Sequence, residues 1–247
     1  MQNFTDKVIL ITGAASGFGK LLAEKLSATG AKLALGDLNE EGVKAVAESL
    51  PGESVALACN VTQEAEVKAL VNTAVETYGR LDIAINNAGL STPMKSLLET
   101  TEKEMDLNFA VNTKGVFFGM KHQIPVMLNQ GEGCILNVAS MAGINGAPKL
   151  TAYVSSKHAT VGITKTAAVE FAKKNIRINA VCPFFSPTPL VTGGNMAEMQ
   201  DFVAQGSPMK RLGSPEEMVN AMLLIIDPAN SYMTGQAIAV DGGVSAL

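Results

Sequence analysis

The stretch from Lys7 to Ala28 constrains the fold more than any other part of this chain. Lys7-Val8-Ile9-Leu10-Ile11 is a short apolar run, the kind of strand found in a parallel sheet covered on both faces. It passes into Thr12-Gly13-Ala14-Ala15-Ser16-Gly17-Phe18-Gly19 and then into the helical spacing of Leu21, Leu22, Ala23, Leu26 and Ala28. Strand, glycine-rich turn and helix, in that order, aim backbone N–H groups and a helix start at a phosphate. A glycine turn alone is a weak signal. Its place between a first strand and a helix makes it informative.

The alternation continues along the chain. Lys32–Gly36 reads as a second strand ending in Asp37, residues 40–49 as a helix, and Ser54–Ala58 as a third strand. A helix over 63–78 precedes a fourth strand, Leu81–Ile85, which runs into Asn86-Asn87-Ala88-Gly89. A helix over roughly 101–122, a strand Cys134–Val138, a helix carrying Tyr153 and a strand Ile176–Cys182 ending at Pro183 follow. Ser214 as N-cap and Pro215 at the first helical position open a helix to about Ile226, and Gln236–Val240 closes the series. This order predicts an α/β fold: a Rossmann-like, doubly wound parallel sheet in three α/β/α layers with right-handed crossovers. With 247 residues, 47% of them hydrophobic, and no linker or repeat, residues 1–247 read as a single domain. Ligands of such sheets bind beyond the carboxyl ends of the strands. Gly13, Asp37, Asn87, Ser140 and Pro183 each follow an apolar run, so the pattern gathers them along one edge.

Composition excludes several function classes. The net charge of −4 offers no basic stripe to neutralise phosphates, which argues against a nucleic-acid partner. No apolar run reaches the roughly 18 residues of a membrane span. Cys59, Cys134 and Cys182 are far apart, odd in number and without metal-ligand spacing. They read as reduced core thiols in a cytoplasmic protein, with no metal site expected.

The chemistry is concentrated between Ser140 and Lys157. In Tyr153-Val-Ser-Ser-Lys157 a phenol and an ammonium stand four residues apart, on one helix face. A nearby cation favours a phenolate, so Lys157 is expected to draw the Tyr153 pKa down from its usual value of about 10. Ser140, at the end of a strand, can meet that phenol, and the set suits proton exchange with an alcohol oxygen. Asn112 stands among Phe109, Val111, Val116 and Phe117, where a buried amide needs partners and could tie two helices together. Asp37 lies twenty residues after Gly17, where a dinucleotide fold places the acid that binds the adenosine ribose. Its charge would repel a 2′-phosphate, and neither Ser16 nor Leu38 supplies a cation, which selects NAD over NADP. From Phe184 to about Leu212 the prolines, Gly193-Gly194 and methionines read as a substrate lid over about 184–212. Candidate pocket walls are Ser91 to Met94, Met141 to Ile144, Phe184, Phe185, Leu190, Met196 and Met199. They contain no arginine, so the expected substrate is a hydrophobic, uncharged alcohol or ketone, cyclic or aromatic.

With these motifs in view, the chain resembles a compact, single-domain short-chain dehydrogenase/reductase over residues 6–243. The resemblance rests on the glycine turn Thr12–Gly19, Asn86-Asn-Ala-Gly89, Asn112, Ser140, Tyr153-Val-Ser-Ser-Lys157 and Asp241-Gly-Gly243. It implies that Tyr153 is the catalytic acid/base and that Lys157 both lowers its pKa and binds the nicotinamide ribose. Ser140 would hydrogen-bond the reacting oxygen, and Asn112 would hold a water linking Lys157 to solvent. Gly13, Ser16, Gly17, Phe18 and Gly19 would border the pyrophosphate. Asp37, Leu38, Asn60 and Val61 would lie at the adenosine end, and Asn87, Ala88, Gly89, Pro183 and Thr188 nearer the nicotinamide. Two departures stand out: Asn60 replaces an aspartate common in relatives, and Phe184 replaces a glycine after Pro183, with a possible constraint on the backbone there. The resemblance also implies a homotetramer formed through long helices and the last strand. Two other readings stay open, a reductase of acyl chains on a carrier protein and a non-catalytic dinucleotide sensor or scaffold.

Overall fold

A computed structural model describes residues 4–192 and 200–246. Seven parallel strands form one sheet in the order β3-β2-β1-β4-β5-β6-β7: β1 Val8–Thr12, β2 Lys32–Asp37, β3 Ser54–Ala58, β4 Ile83–Asn86, β5 Gly133–Val138, β6 Ile176–Pro183 and β7 Ala237–Val240. Chain direction reverses its progress across the sheet after β3, so β1 and β4 are neighbours, with Ile9 opposite Ile83. A crevice opens beyond their carboxyl ends at that switch point.

Strand periodicity explains the layers. Ile9 and Ile11 point into one core, with Leu22 and Leu26 of α1 (Gly17–Ser27), Val43 of α2 (Glu40–Ser49) and Met222 of α9 (Pro215–Ile226). Val8 and Leu10 point into the other, with Leu70 of α3 (Glu64–Tyr78), Ile124 of α5 (Gly115–Gln130) and Ala168 of α6 (Thr151–Phe171). All of these side chains are buried. The expected three-layer, doubly wound arrangement is present. No helix among the described residues is long and apolar enough to cross a membrane.

The helix read over 101–122 differs from expectation. It comprises α4 (Glu102–Asn108), a π-helical stretch Phe109–Lys114, and α5, which continues to Gln130. No residue type in Phe109–Lys114 marks the wider π turn, so the apolar pattern alone does not reveal it. Pro125 fails to end α5 because it sits on the exposed side, where the carbonyl it frees can face water. Gly131, at φ 81°, stops the helix instead. In the lid region, α7 (Pro189–Thr192) and α8 (Gln200–Gly206) are helical, while Met196 and Met199 lie outside the described residues.

Candidate active site

At the carboxyl edge of the sheet lies a cavity of about 420 Å³. Gly13, Asp37, Asn87, Ser140 and Pro183 all line it, as their positions after strands require. The glycine loop shapes one end. Gly13 has φ 68°, and a Cβ there would lie 2.9 Å from Ala88 Cα. The Asn87 amide fixes this approach by donating to Thr12 O at 2.9 Å and Gly13 O at 3.1 Å, while Thr12 Oγ1 accepts from the N–H groups of Asn87 and Ala88. Gly19 does not line the cavity. A Cβ on it would come 2.1 Å from Gly13 O, so it lets α1 pack on the loop.

Helix α1 opens into the cavity through Ser16, Gly17 and Phe18, and Ser16 makes no side-chain cap. Its first N–H groups therefore keep their capacity for an anion. Asp37 stands beside them. One carboxylate oxygen accepts from Ala15 N at 2.9 Å and the other from Asn39 N at 2.9 Å, while Asn39 caps α2. Leu38 is 75% exposed, and Asn60 and Val61 complete this end. Asn60 Oδ1 accepts from Thr62 N and Thr62 Oγ1, which turns the chain after β3. An uncapped helix start, a loop with glycine at Gly13 and Gly17 and a carboxylate after β2 fit a dinucleotide's phosphates and ribose.

The other end holds the acid/base residues. Ser140 follows β5 and is placed to hydrogen-bond a Tyr153 phenolate, and its Oγ accepts from Ala142 N at 3.1 Å. Lys157 Nζ lies 5.7 Å from the Tyr153 ring centre and donates to Val138 O at 2.8 Å. The expected lowering of the phenol pKa is not what this geometry produces. Burial raises the Tyr153 pKa, the Ser140 hydrogen bond opposes that, and the neighbouring Cys182 adds to the rise. Burial also brings Lys157 down to about 8, with nearby Cys182 opposing it. The ammonium is turned toward a carbonyl, and burial favours its neutral form, which reduces its pull on the phenol.

Behind these residues runs a chain of buried hydrogen bonds. Asn86 Nδ2 donates to Asn137 Oδ1 at 2.8 Å, Asn137 Nδ2 to Thr164 Oγ1 at 2.9 Å, and Thr164 Oγ1 to Thr160 O at 2.7 Å. Thr160 Oγ1 donates to Asn112 O at 2.8 Å, Asn112 Nδ2 to Ser156 Oγ at 3.0 Å, and Ser156 Oγ to Tyr153 O at 2.8 Å. Asn112 does tie helices together and also clamps a loop, pairing with both Leu90 N and Leu90 O at 2.9 Å. It stands behind the cavity rather than in its wall. A Cβ on Gly89 would lie 3.2 Å from Asn112 Oδ1 and 3.3 Å from Lys157 Nζ, so this clamp sets the space beside Lys157.

Of the expected substrate walls, Ser91, Met141, Phe184, Phe185 and Leu190 line the cavity. Met94 and Ile144 do not. The backbone after Met94 is tied away by Lys95 N to Lys149 O at 2.9 Å, and Ile144 packs on the cluster of Ala139, Val161, Ala180 and Cys182. Phe184 brings no strained backbone, since it is not among the residues with positive φ. Pro183 and Thr188 line the cavity as expected, and Thr188 Cβ comes within 3.6 Å of where a Gly17 Cβ would stand. Sequence reasoning missed Leu90 and Leu150, which add apolar wall, and Ser186. The Ser186 hydroxyl is buried with no hydrogen-bond partner among the described residues. Its place between Pro183 and Thr188 was the only signal that could have drawn attention to it.

Known proteins share this arrangement. A family profile described as Enoyl-(Acyl carrier protein) reductase matches residues 13–245. The chain is 40% identical to the 3-oxoacyl-[acyl-carrier-protein] reductase FabG of Thermotoga maritima, over 96% of this chain and 97% of that one. It is 37% identical to a cyclohexanol dehydrogenase of Acinetobacter sp., over 98% and 96% of the two chains. A crystal structure of a 3-ketoacyl-(acyl-carrier-protein) reductase from Brucella melitensis, complexed with NADH, superposes with a TM-score of 0.93 at 34% identity, over 98% of this chain and 100% of that one. Matches spanning nearly the whole chain, on a fold whose carboxyl edge carries the glycine loop and the Ser140, Tyr153 and Lys157 set, place this chain in the short-chain dehydrogenase/reductase family of oxidoreductases.

Proposed function

We propose that the protein interconverts a hydrophobic, uncharged secondary alcohol, cyclic or aromatic, and its ketone, using NAD. The observation that carries this reading is the Tyr153 phenol beside Ser140 and Lys157, in the same cavity that the glycine loop and Asp37 line. A nicotinamide bound at that end would supply the hydride chemistry. Tyr153 takes the hydroxyl proton in oxidation and returns a proton to the carbonyl oxygen in reduction. Ser140 orients the same oxygen, so the reacting carbon is placed before chemistry begins. Lys157, fixed by its bond to Val138 O, would hold the ribose, and Asn112 clamps Leu90 and so sets the loop at Gly89 beside it.

Asp37 favours NAD because its carboxylate would oppose a 2′-phosphate, while exposed Leu38 offers no counter-charge. Gly13, Ser16, Gly17 and Phe18 would take the pyrophosphate, with Asn60 and Val61 by the adenine and Asn87, Ala88, Pro183 and Thr188 toward the nicotinamide. Among the described lining residues only Asp37 and Lys157 carry charge, and both stand where the cofactor would lie. Lys95, near the substrate end, is matched by Glu104 at 2.7 Å. That leaves apolar walls for the substrate. A homotetramer in the cytoplasm completes the reading.

Similarity to carrier-protein reductases at 40% identity favours a second reading, reduction of a 3-oxoacyl thioester. Initial rates with NAD⁺ and NADP⁺ against linear, cyclic and aromatic secondary alcohols, with NADH and NADPH against an acetoacetyl thioester, separate the two. We expect NAD⁺ with ring-bearing alcohols to lead. A dominant thioester activity would replace the first reading with the second, and preference for NADP⁺ would overturn the role given to Asp37.

A further inference from the structure

The proposed alcohol chemistry leaves open which residue selects the substrate, and the strand alternation of β6 addresses it. Side chains of a strand alternate between faces. Val181 packs into the core shared with α1 and α9, whereas Ala180 and Cys182 pack with Val161 of α6, the helix that carries Tyr153. Cys182 on that face stands beside the backbone of Ser140 and near Lys157. Strand pairing continues one residue beyond β6, because Phe184 N donates to Val240 O at 3.0 Å. Phe184 therefore follows Cys182 on the acid/base face, about 6.6 Å further along the strand, where the reacting oxygen's substituents must go. Its ring is braced by Phe185, with centroids 5.0 Å apart and planes at 85°. Both rings are half-buried and line the cavity.

We infer that Phe184 is the specificity-determining residue of this pocket: its braced ring is the wall against which a ring-bearing, uncharged alcohol lies while its carbinol carbon faces Tyr153. The inference rests on the alcohol-dehydrogenase reading and adds the residue that makes rings preferred. Aromatic rings pair well at centroid separations of about 4.5–7 Å, and a ring already held in place loses little freedom when a substrate packs on it. An alicyclic ring uses the same wall through apolar contact alone, whereas an aryl ring also gains the directional pairing.

The test compares wild type, F184A and F184L in NAD⁺-dependent oxidation of cyclohexanol, 1-phenylethanol and 2-butanol, with NADH affinity measured by fluorescence. In F184A the ratio of kcat/KM for cyclohexanol to that for 2-butanol falls about tenfold, and the ratio for 1-phenylethanol falls further. F184L, close in volume, restores the cyclohexanol ratio but not the 1-phenylethanol ratio. NADH affinity stays within about twofold, since apolar contact with the substrate is what these changes remove. If wild type favours ring alcohols and both variants keep its ratios, the assignment of Phe184 is overturned and the alcohol reading stands. Loss of NADH binding in either variant overturns it as well, placing Phe184 in the cofactor site. Indifference of the wild type to rings overturns both. Should F184A fail to fold, the 1-phenylethanol ratio in F184L still decides.

Discussion

The two helical layers of this molecule bind the sheet by different means. Against α1, α2 and α9 the contact is mostly apolar, with Leu22, Leu26, Val219 and Met222 on Ile9, Ile11, Leu33 and Leu35, and its buried polar groups sit at β6, where Arg177 donates to the carbonyls of Ile225 and Ile226. Against α5 and α6 the apolar contact is threaded by Asn86, Asn112, Gln123, Asn137, Ser156, Thr160 and Thr164, each 3% exposed or less. On α6 the most buried stripe, Ser156, Lys157, Thr160 and Thr164, is largely polar. Apolar contact is non-directional, so it holds a helix near a sheet without setting its rotation closely. Hydrogen bonds have narrow geometry, and a buried one left unmade is costly, so a connected set fixes rotation and height together. The layer with the network carries Tyr153 and Lys157, whose positions matter to fractions of an ångström. The mostly apolar layer carries the helix start proposed to receive phosphates.

Substitutions can break or sharpen this contrast. The largest effect belongs to Tyr153→Phe, which should lower kcat/KM by about 10³-fold with NADH still bound in a fluorescence titration. Near-normal turnover would remove Tyr153 from the chemistry. In the apolar layer, Leu22→Ala should cost about 2–5 kcal/mol in urea unfolding while KM for the alcohol stays as in wild type. In the polar layer, Thr164→Val keeps the shape but strands the Asn137 amide, at a cost of about 1–3 kcal/mol. Unlike Leu22→Ala, it should also lower kcat, since the chain of bonds from Thr164 ends on the Tyr153 carbonyl. An unchanged kcat would show that the network stabilises without positioning.

Titration gives a further effect. Burial raises the Tyr153 pKa, so at neutral pH the phenol is protonated and ready to donate. Alcohol oxidation needs the phenolate, and its kcat/KM should rise by up to about tenfold per pH unit in the alkaline range. Ketone reduction should stay level and fall only once pH passes the raised pKa. An oxidation rate already level at neutral pH would restore the depressed phenol expected from the Tyr153–Lys157 spacing. The smallest effect belongs to Ser186→Ala. Removing a buried hydroxyl that has no partner among the described residues should leave urea stability unchanged or raise it by up to about 1 kcal/mol. A fall would show that the hydroxyl has a partner.

Much of the fold was legible because its signals are local. An apolar run buried on both faces, a glycine turn and a capped helix each identify themselves within a few residues. The strand-end rule then placed Gly13, Asp37, Asn87, Ser140 and Pro183 at one edge before any coordinate was known. The π turn at Phe109–Lys114 was not legible, because it is set by which carbonyl each N–H meets and no residue type in that stretch marks the change. Nor was the exclusion of Met94, Ile144 and Gly19 from the cavity wall, which depends on where loops are tied rather than on residue type.

The amino-acid sequence by itself determined the order of strands and helices, the glycine loop and the identity of the residues at the sheet's carboxyl edge, since short-range sterics and burial suffice for these. Only the tertiary structure decided the state of the acid/base pair. Spacing put Tyr153 and Lys157 on one helix face and suggested that the cation governs the phenol. Packing instead turned Lys157 toward Val138 O, set the phenol beside Ser140, buried Lys157 and half-buried Tyr153. Proton affinity depends on everything that surrounds a group, and those surroundings come from β5, β6 and the loop at Gly89, far from Tyr153 in the chain.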